Sequence, residues 1–196
     1  MKKKIIITGG LGYIGTELCK IYSGVSWHHK ITVIDNRFIS ERVNQIRNWN
    51  MEFVQGDVLD KELIKKYCKD ADVVHHLAGI TNVPRTKSEA TFSNDDKIKE
   101  VGEKGTQNIL DVINNKCKII FPSTHVVYEG INEVKTDIKE NEITKPVLSY
   151  SSSKALNENQ LKKSGKNYVI LRLGSVYGYS TDSMRIDIMP NLFSKI

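Results

Sequence analysis

The chain has 196 residues, 39% of them hydrophobic and 27% charged, with a formal net charge of +6. That length is enough for one compact domain with its own core, and no apolar run approaches the ~18 residues of a membrane-spanning helix. The lysines are scattered and interleaved with acids, as on solvated helix faces, which argues against both a nucleic-acid surface and a membrane partner.

The first ten residues, MKKKIIITGG, open with lysines as a signal peptide does. Their apolar run, residues 5–7, is too short for a signal core and passes straight into glycines. It reads as a first strand, and a cytoplasmic location is the expectation. A helix is predicted over 13–23, a strand over 31–34 ending at Asp35, and a helix over 38–49. A strand over 51–55 ends near Asp57. Asp60 then caps a helix reaching 69, with Glu62 and Lys66 one turn apart. A strand over 72–77, a long helix over 95–114 and a strand over 117–121 follow. Residues 129–146 are polar and charged and read as a long surface loop. A helix over 149–163 and a strand over 168–171 come next, and 184–196 reads as a helix or loop-helix. Short apolar strands alternating with amphipathic helices predict an α/β fold, a doubly wound, Rossmann-like parallel sheet covered on both faces.

Cys19, Cys68 and Cys117 are odd in number and far apart, so all are read as reduced thiols. His75, His76 and His125 have no carboxylate or cysteine at ligand spacing. They read as packing or hydrogen-bonding residues, and no metal is expected.

Residues 8–15, TGGLGYIG, follow a strand and open a helix, the context that gives a glycine turn its meaning. Gly9 permits the tight turn, Gly12 leaves room for a dinucleotide pyrophosphate, and Gly15 lets the helix pack close to the sheet. Asp35 lies twenty residues beyond Gly15, at the end of the second strand. A carboxylate there accepts the ribose hydroxyls of NAD and repels the additional phosphate of NADP, so NAD is the expected cofactor even with Arg37 nearby.

Tyr150 and Lys154 stand four apart on a predicted helix, hence on one face. An ammonium beside a phenol favours the phenolate, whose free pKa is ~10, and makes it a base that can take a proton from a sugar hydroxyl. Ser123 and Thr124 close the preceding strand at the carboxyl edge of the sheet, where ligands bind in doubly wound folds. A hydroxyl there can hold a substrate oxygen, or it can cap backbone groups.

Taken in order, TGGLGYIG, Asp35-Asn36, GDV at 56–58, HHLAG at 75–79, GTQNIL at 105–110, STHVVY at 123–128, SYSSSKALNE at 149–158 and LRLGSVYG at 171–178 closely resemble the extended short-chain dehydrogenase/reductases, specifically the NAD-dependent epimerase/dehydratase family. The resemblance implies an enzyme that epimerises or dehydrates a nucleotide sugar through a transient keto-sugar, with bound NAD. By position, Gly9, Gly12, Tyr13, Ile14 and Gly15 would hold the pyrophosphate, and Asp35 and Asn36 the adenosine ribose. Asp57 and Val58 would flank the adenine; Leu77, Ala78, Gly79 and Thr81 would line the nicotinamide side. Tyr150 would be the base, Lys154 would bind the nicotinamide ribose and tune Tyr150, and Thr124 would orient the substrate hydroxyl. In MPNL, Asn191 and Leu192 resemble a segment that holds the nucleotide diphosphate in UDP-galactose 4-epimerase, and Ser175 falls in a substrate-phosphate segment. The family also implies a homodimer through the helices near 95–114 and 149–163.

Three positions depart from the family's pattern: Gly102 and Ser175 replace its usual asparagines, and Glu129 replaces the glycine after VVY. Family members are about twice the size of a single small domain. The expected organisation is therefore an NAD-binding domain with the catalytic residues over 1–180 and the truncated start of a substrate-binding region over 181–196, either as a fragment or as a natural short form. Two alternatives stay open. One is an NAD(P)-dependent reductase of a non-sugar ketone or alcohol, against which Asp35 argues. The other is a non-catalytic dinucleotide-binding protein, against which the retained Tyr150–Lys154 pair argues.

Overall fold

The computed structural model describes residues 2–81, 92–180 and 189–193. Six strands, β1 (Lys4–Thr8), β2 (Lys30–Asp35), β3 (Glu52–Gln55), β4 (Val73–His76), β5 (Lys118–Thr124) and β6 (Asn167–Leu173), form one sheet in the order β3-β2-β1-β4-β5-β6. Every pairing is parallel. The helices are α1 (Tyr13–Ser23), α2 (Ser40–Asn48), α3 (Lys61–Cys68), α4 (Phe92–Val112), α5 (Ser149–Lys163) and α6 (Met189–Phe193). The strand order reverses between β1 and β4, so the carboxyl ends of those strands open a crevice at the switch point.

Alternation along the strands builds two cores. Ile5, Ile7, Ile31 and Val33 pack on one face with Cys19 of α1 and Val43 and Ile46 of α2. Ile6, Ile34, Val74, Ile119 and Phe121 pack on the other with Ile64 and Cys68 of α3, Ile109 of α4 and Leu161 of α5. All three cysteines are buried free thiols, and burial pushes Cys19 and Cys68 up to about 12. They pack as small apolar residues, inert toward thiolate chemistry.

The predicted elements are all found where the described residues reach them, with shifted ends. Asp60 caps α3 by accepting from Leu63 N at 3.0 Å. α2 starts at Ser40 instead of 38, because Phe38 turns out of the helix to meet Phe53 edge-on at 6.0 Å. β5 runs on to Thr124, since the parallel register holds from Lys118↔Asn167 to Thr124↔Leu173. A 3-10 turn, His125–Tyr128, which periodicity does not reveal, follows it. Residues 129–147 form the predicted long loop. Of the pattern at 184–196, only α6 lies within the described residues. Among them, no helix is long and apolar enough to cross a membrane.

Candidate active site

The glycine turn joins β1 to α1 at the crevice. Gly9 has φ +70°, and a Cβ on it would lie 2.6 Å from Ala78 N. Glycine is thus required both by conformation and by the close approach of the segment leaving β4. A Cβ on Gly15 would lie 2.4 Å from Gly9 O, so this residue sets how closely α1 packs. Gly12 is the N-cap of α1, with no side-chain cap and no acidic residue in the first turn. The helix therefore presents uncapped amides and its positive end to the crevice, which fits a pyrophosphate. Ile14 is part-exposed at this end.

Asp35, its side chain 4% exposed, sits beside the turn. Its Oδ2 accepts from Leu11 N at 2.9 Å, and its Oδ1 accepts from Arg37 N at 3.0 Å and Arg37 Nε at 3.1 Å. Arg37 thus lies across the carboxylate, with its guanidinium half-exposed. Asn36 donates to Asp57 Oδ2 at 3.0 Å, which brings the ends of β2 and β3 together. Val58 faces the core: it packs on Gly105 of α4, and its carbonyl accepts from Asn108.

On the other side of the switch point, a shallow cleft is lined by Ala78, Gly79 and Ile80 after β4, Ile98, Gly102 and Thr106 of α4, Phe121, and Tyr150, Ser153, Lys154 and Asn157 of α5. Tyr150 and Lys154 share this wall, with Lys154 Nζ 5.9 Å from the centre of the Tyr150 ring. The same ammonium lies 4.4 Å over Phe121 and donates to Pro122 O at 2.8 Å. Burial pushes Lys154 down to about 8. Leu77 packs into the core and Thr81 is exposed beyond the cleft; neither lines it.

Two histidines flank these residues as packing groups. Burial, and then the charge of Lys154, push His76 down to about 3, so it is neutral. Ala78 N donates to Thr8 Oγ1 at 3.3 Å, and the same hydroxyl pairs with His76 Nδ1 at 2.9 Å. His76 Nε2 then meets Thr106 Oγ1 at 3.1 Å. This chain locks β1, β4 and α4 together under the cleft. His75, pushed down to about 4 by burial, pairs with the Tyr22 hydroxyl at 2.8 Å.

The two hydroxyls closing β5 point to opposite faces, as strand alternation requires. Ser123 is buried and donates to Glu158 Oε1 at 2.6 Å. Thr124 accepts from Val126 N at 3.3 Å, starting the 3-10 turn, and its own proton remains to be donated. It is not among the residues that line the cleft.

Sequence reasoning passed over an ion pair behind Ser123. Glu158, 1% exposed, accepts from Arg172 Nη2 at 2.6 Å and Arg172 Nε at 2.9 Å. Burial alone would raise the Glu158 carboxyl; hydrogen bonds from Arg172 and Ser123 outweigh it and hold the group low. The signal was present: an acid one turn after Lys154, and an arginine inside an apolar strand. Gly102 also finds a reason, since a Cβ there would lie 2.2 Å from Ser153 Oγ and Asn157 donates to its carbonyl at 2.9 Å.

The carboxyl-terminal segment reaches back to α1. Tyr13 donates to Gly178 O at 2.6 Å, and Gly178 N donates to Asn191 Oδ1 at 2.9 Å. Asn191 is buried, and Ser175 is exposed. Leu192 lies in α6, with its side chain outside the described residues.

This strand order, with a glycine-rich first crossover at its switch point, defines the Rossmann-like class of α/β proteins. The chain belongs to the NAD dependent epimerase/dehydratase family, which matches residues 5–196. It is 29% identical over 197 aligned residues to a dTDP-D-glucose 4,6-dehydratase of Dictyostelium discoideum, covering 90% of this chain and 44% of that protein. It is 30% identical over 190 residues to a UDP-glucose 4-epimerase of Mycoplasma genitalium, covering 90% and 54%. The crystal structure of UDP-glucuronic acid 4-epimerase from Bacillus cereus in complex with NAD superposes with a TM-score of 0.77 at 27% identity, covering 98% of this chain and 61% of that one. The chain spans about half the length of the curated relatives it matches.

Proposed function

We propose that this chain carries the dinucleotide-binding and proton-transfer half of a nucleotide-sugar epimerase or dehydratase. The observation that carries the reading is the shared wall of Tyr150 and Lys154, facing Ala78 and Gly79 across one cleft at the switch point. The amides after Gly12 hold the pyrophosphate, and Asp35, once Arg37 moves off, takes the adenosine ribose with Asn36. Asp57 and the backbone of Val58 border the adenine, and Ala78 and Gly79 border the nicotinamide. NAD, when bound, accepts the hydride from the carbinol carbon of the sugar. Lys154 favours the phenolate of Tyr150, which takes the hydroxyl proton as that carbon becomes a ketone. Thr124 orients the same oxygen. Residues 1–180 form this unit, and 181–196, with Asn191 and Leu192, begin the region that meets the nucleotide diphosphate together with Ser175. The names of the relatives, nucleotide-sugar epimerases and a dehydratase, support this substrate class. A cytoplasmic homodimer is part of the proposal, supported by the family resemblance.

The test has two stages. Heat-released dinucleotide from the purified chain is identified by chromatography, and UDP-, GDP- and dTDP-sugars are then offered while NADH absorbance and epimer exchange are followed. Retained NAD, with turnover or NADH formation that Tyr150→Phe abolishes, is the expected result. Dinucleotide binding that Tyr150→Phe leaves unchanged, with no response to any sugar nucleotide from a version as long as the relatives, would reject catalysis. The guanidinium of Arg37 on Asp35 is the one feature favouring an NADP-using reductase. Comparison of the Kd values for NAD and NADP decides that point.

A further inference from the structure

Between Thr124 and Tyr150 the chain makes the 3-10 turn and a long polar loop, a separation over which a flexible connection would let the two groups drift. We propose that Glu129 is the positioning residue that closes this loop at its neck and holds Tyr150 in register with Thr124 and Lys154. The inference rests on the reading of Tyr150 as the base. Glu129 is the C-cap of the 3-10 turn that Thr124 starts. Its Oε1 accepts from Val147 N at 2.7 Å, from Leu148 N at 2.7 Å and from the Ser151 hydroxyl. Leu148 is the N-cap of α5 and has no side-chain acceptor to offer its helix. The carboxylate of Glu129 reaches across the loop to the two amides that lead into the helix and to the hydroxyl of its third residue, at the positive helix end. Gly130 N to Lys145 O and Lys145 N to Val127 O, both 2.8 Å, close the neck beside it. Tyr150 lies between Leu148 and Ser151, both held by the same oxygen, so the first turn of α5 cannot fray without carrying the phenol away from Lys154. A glycine, the family's residue at this position, offers no such bond.

Among the described residues, Lys154 lies beside the phenol ring on its own helix, and the carboxylate of Glu129 lies at the start of the same helix. The cleft wall from α4 is uncharged. This makes the sign of a titration shift informative. Removing the charge of a nearby carboxylate, by itself, lowers the pKa of a phenol; separating the phenol from an ammonium raises it. The experiment is ultraviolet titration at the phenolate band, with Tyr150 assigned by difference from Tyr150→Phe. In Glu129→Ala the Tyr150 transition is expected to rise by ~0.5–1 unit, whereas Glu129→Gln, which keeps an acceptor oxygen, stays at or slightly below wild type. Glu129→Ala combined with Leu148→Ser supplies a local cap and is expected to return the transition to its wild-type position. A folded Glu129→Ala chain titrating at or below wild type overturns the proposal. If Glu129→Ala alone fails to fold, the double variant decides, and a transition still raised there overturns it. A wild-type Tyr150 titrating at ~10 removes the base assignment, and the inference with it.

Discussion

Lys154 serves two ends that conflict. Its ammonium lies over Phe121, donates to Pro122 O and stands beside Tyr150, and burial pushes it down to about 8. An amine depressed in the folded state is uncharged there at pH values where the unfolded chain still binds the proton. Stability therefore rises with pH between about 8 and the ordinary 10.5, and below about 8 the charged amine is a net burden. Lys154→Met is expected to stabilise the fold by about 2 kcal/mol at pH 7, at ~1.4 kcal/mol per pKa unit less the lost contacts. The gain should shrink toward pH 10. Urea melts of both proteins at the two pH values check this; a gain independent of pH would contradict the buried-amine account. Arg37 shows the opposite relation: half-exposed itself, it pairs with a buried carboxylate.

At the scale of elements, α5 is held at its start and in its middle by groups from other elements. At its start Glu129 reaches over the loop, and in its middle Glu158 is gripped by Arg172 of β6 and Ser123 of β5. Removing one member of a buried pair leaves the other charge uncompensated, at about 3–5 kcal/mol. Arg172→Ala is expected to show a loss of this size in denaturant melts. Replacing Arg172 and Glu158 together by leucine should lose much less, because no charge remains buried. Equal losses in the single and double variants would mean that the pair acts through packing alone. Because Ser123 directly precedes Thr124, loosening this pair should disturb the cleft as well as the helix.

The sheet is covered unevenly over the molecule as a whole. Tyr168 is 37% exposed, Val169 37% and Leu171 43%, on a strand that pairs only with β5 among the described residues. Strands of a parallel sheet are ordinarily buried on both faces, and an apolar edge is a site of association. Concentration-dependent self-association is expected in light scattering, weakened by Leu171→Lys; an unchanged monomer at all concentrations would count against it. What was legible beforehand is what short-range chemistry controls. The glycine turn, the Asp60 cap and the Tyr150–Lys154 spacing each lie within one turn or one crossover, where local geometry leaves few choices. Glu129 reaching Leu148 and Glu158 meeting Arg172 are meetings of residues from separate elements that no local periodicity announces. Ser123 and Thr124 looked alike in sequence, and only the folded strand gave one to the ion pair and the other to the start of the 3-10 turn.

By itself, then, the order of apolar runs, glycines and helix-forming stretches determined a parallel, doubly wound sheet and put a phenol and an amine one turn apart, because these depend on backbone geometry and nearest neighbours. The tertiary structure alone decided which buried charges are paired, which hydroxyl of β5 joins them and what holds the first turn of α5. Those outcomes depend on which groups lose water together, and that is settled only when strands and helices distant in the chain close on one another.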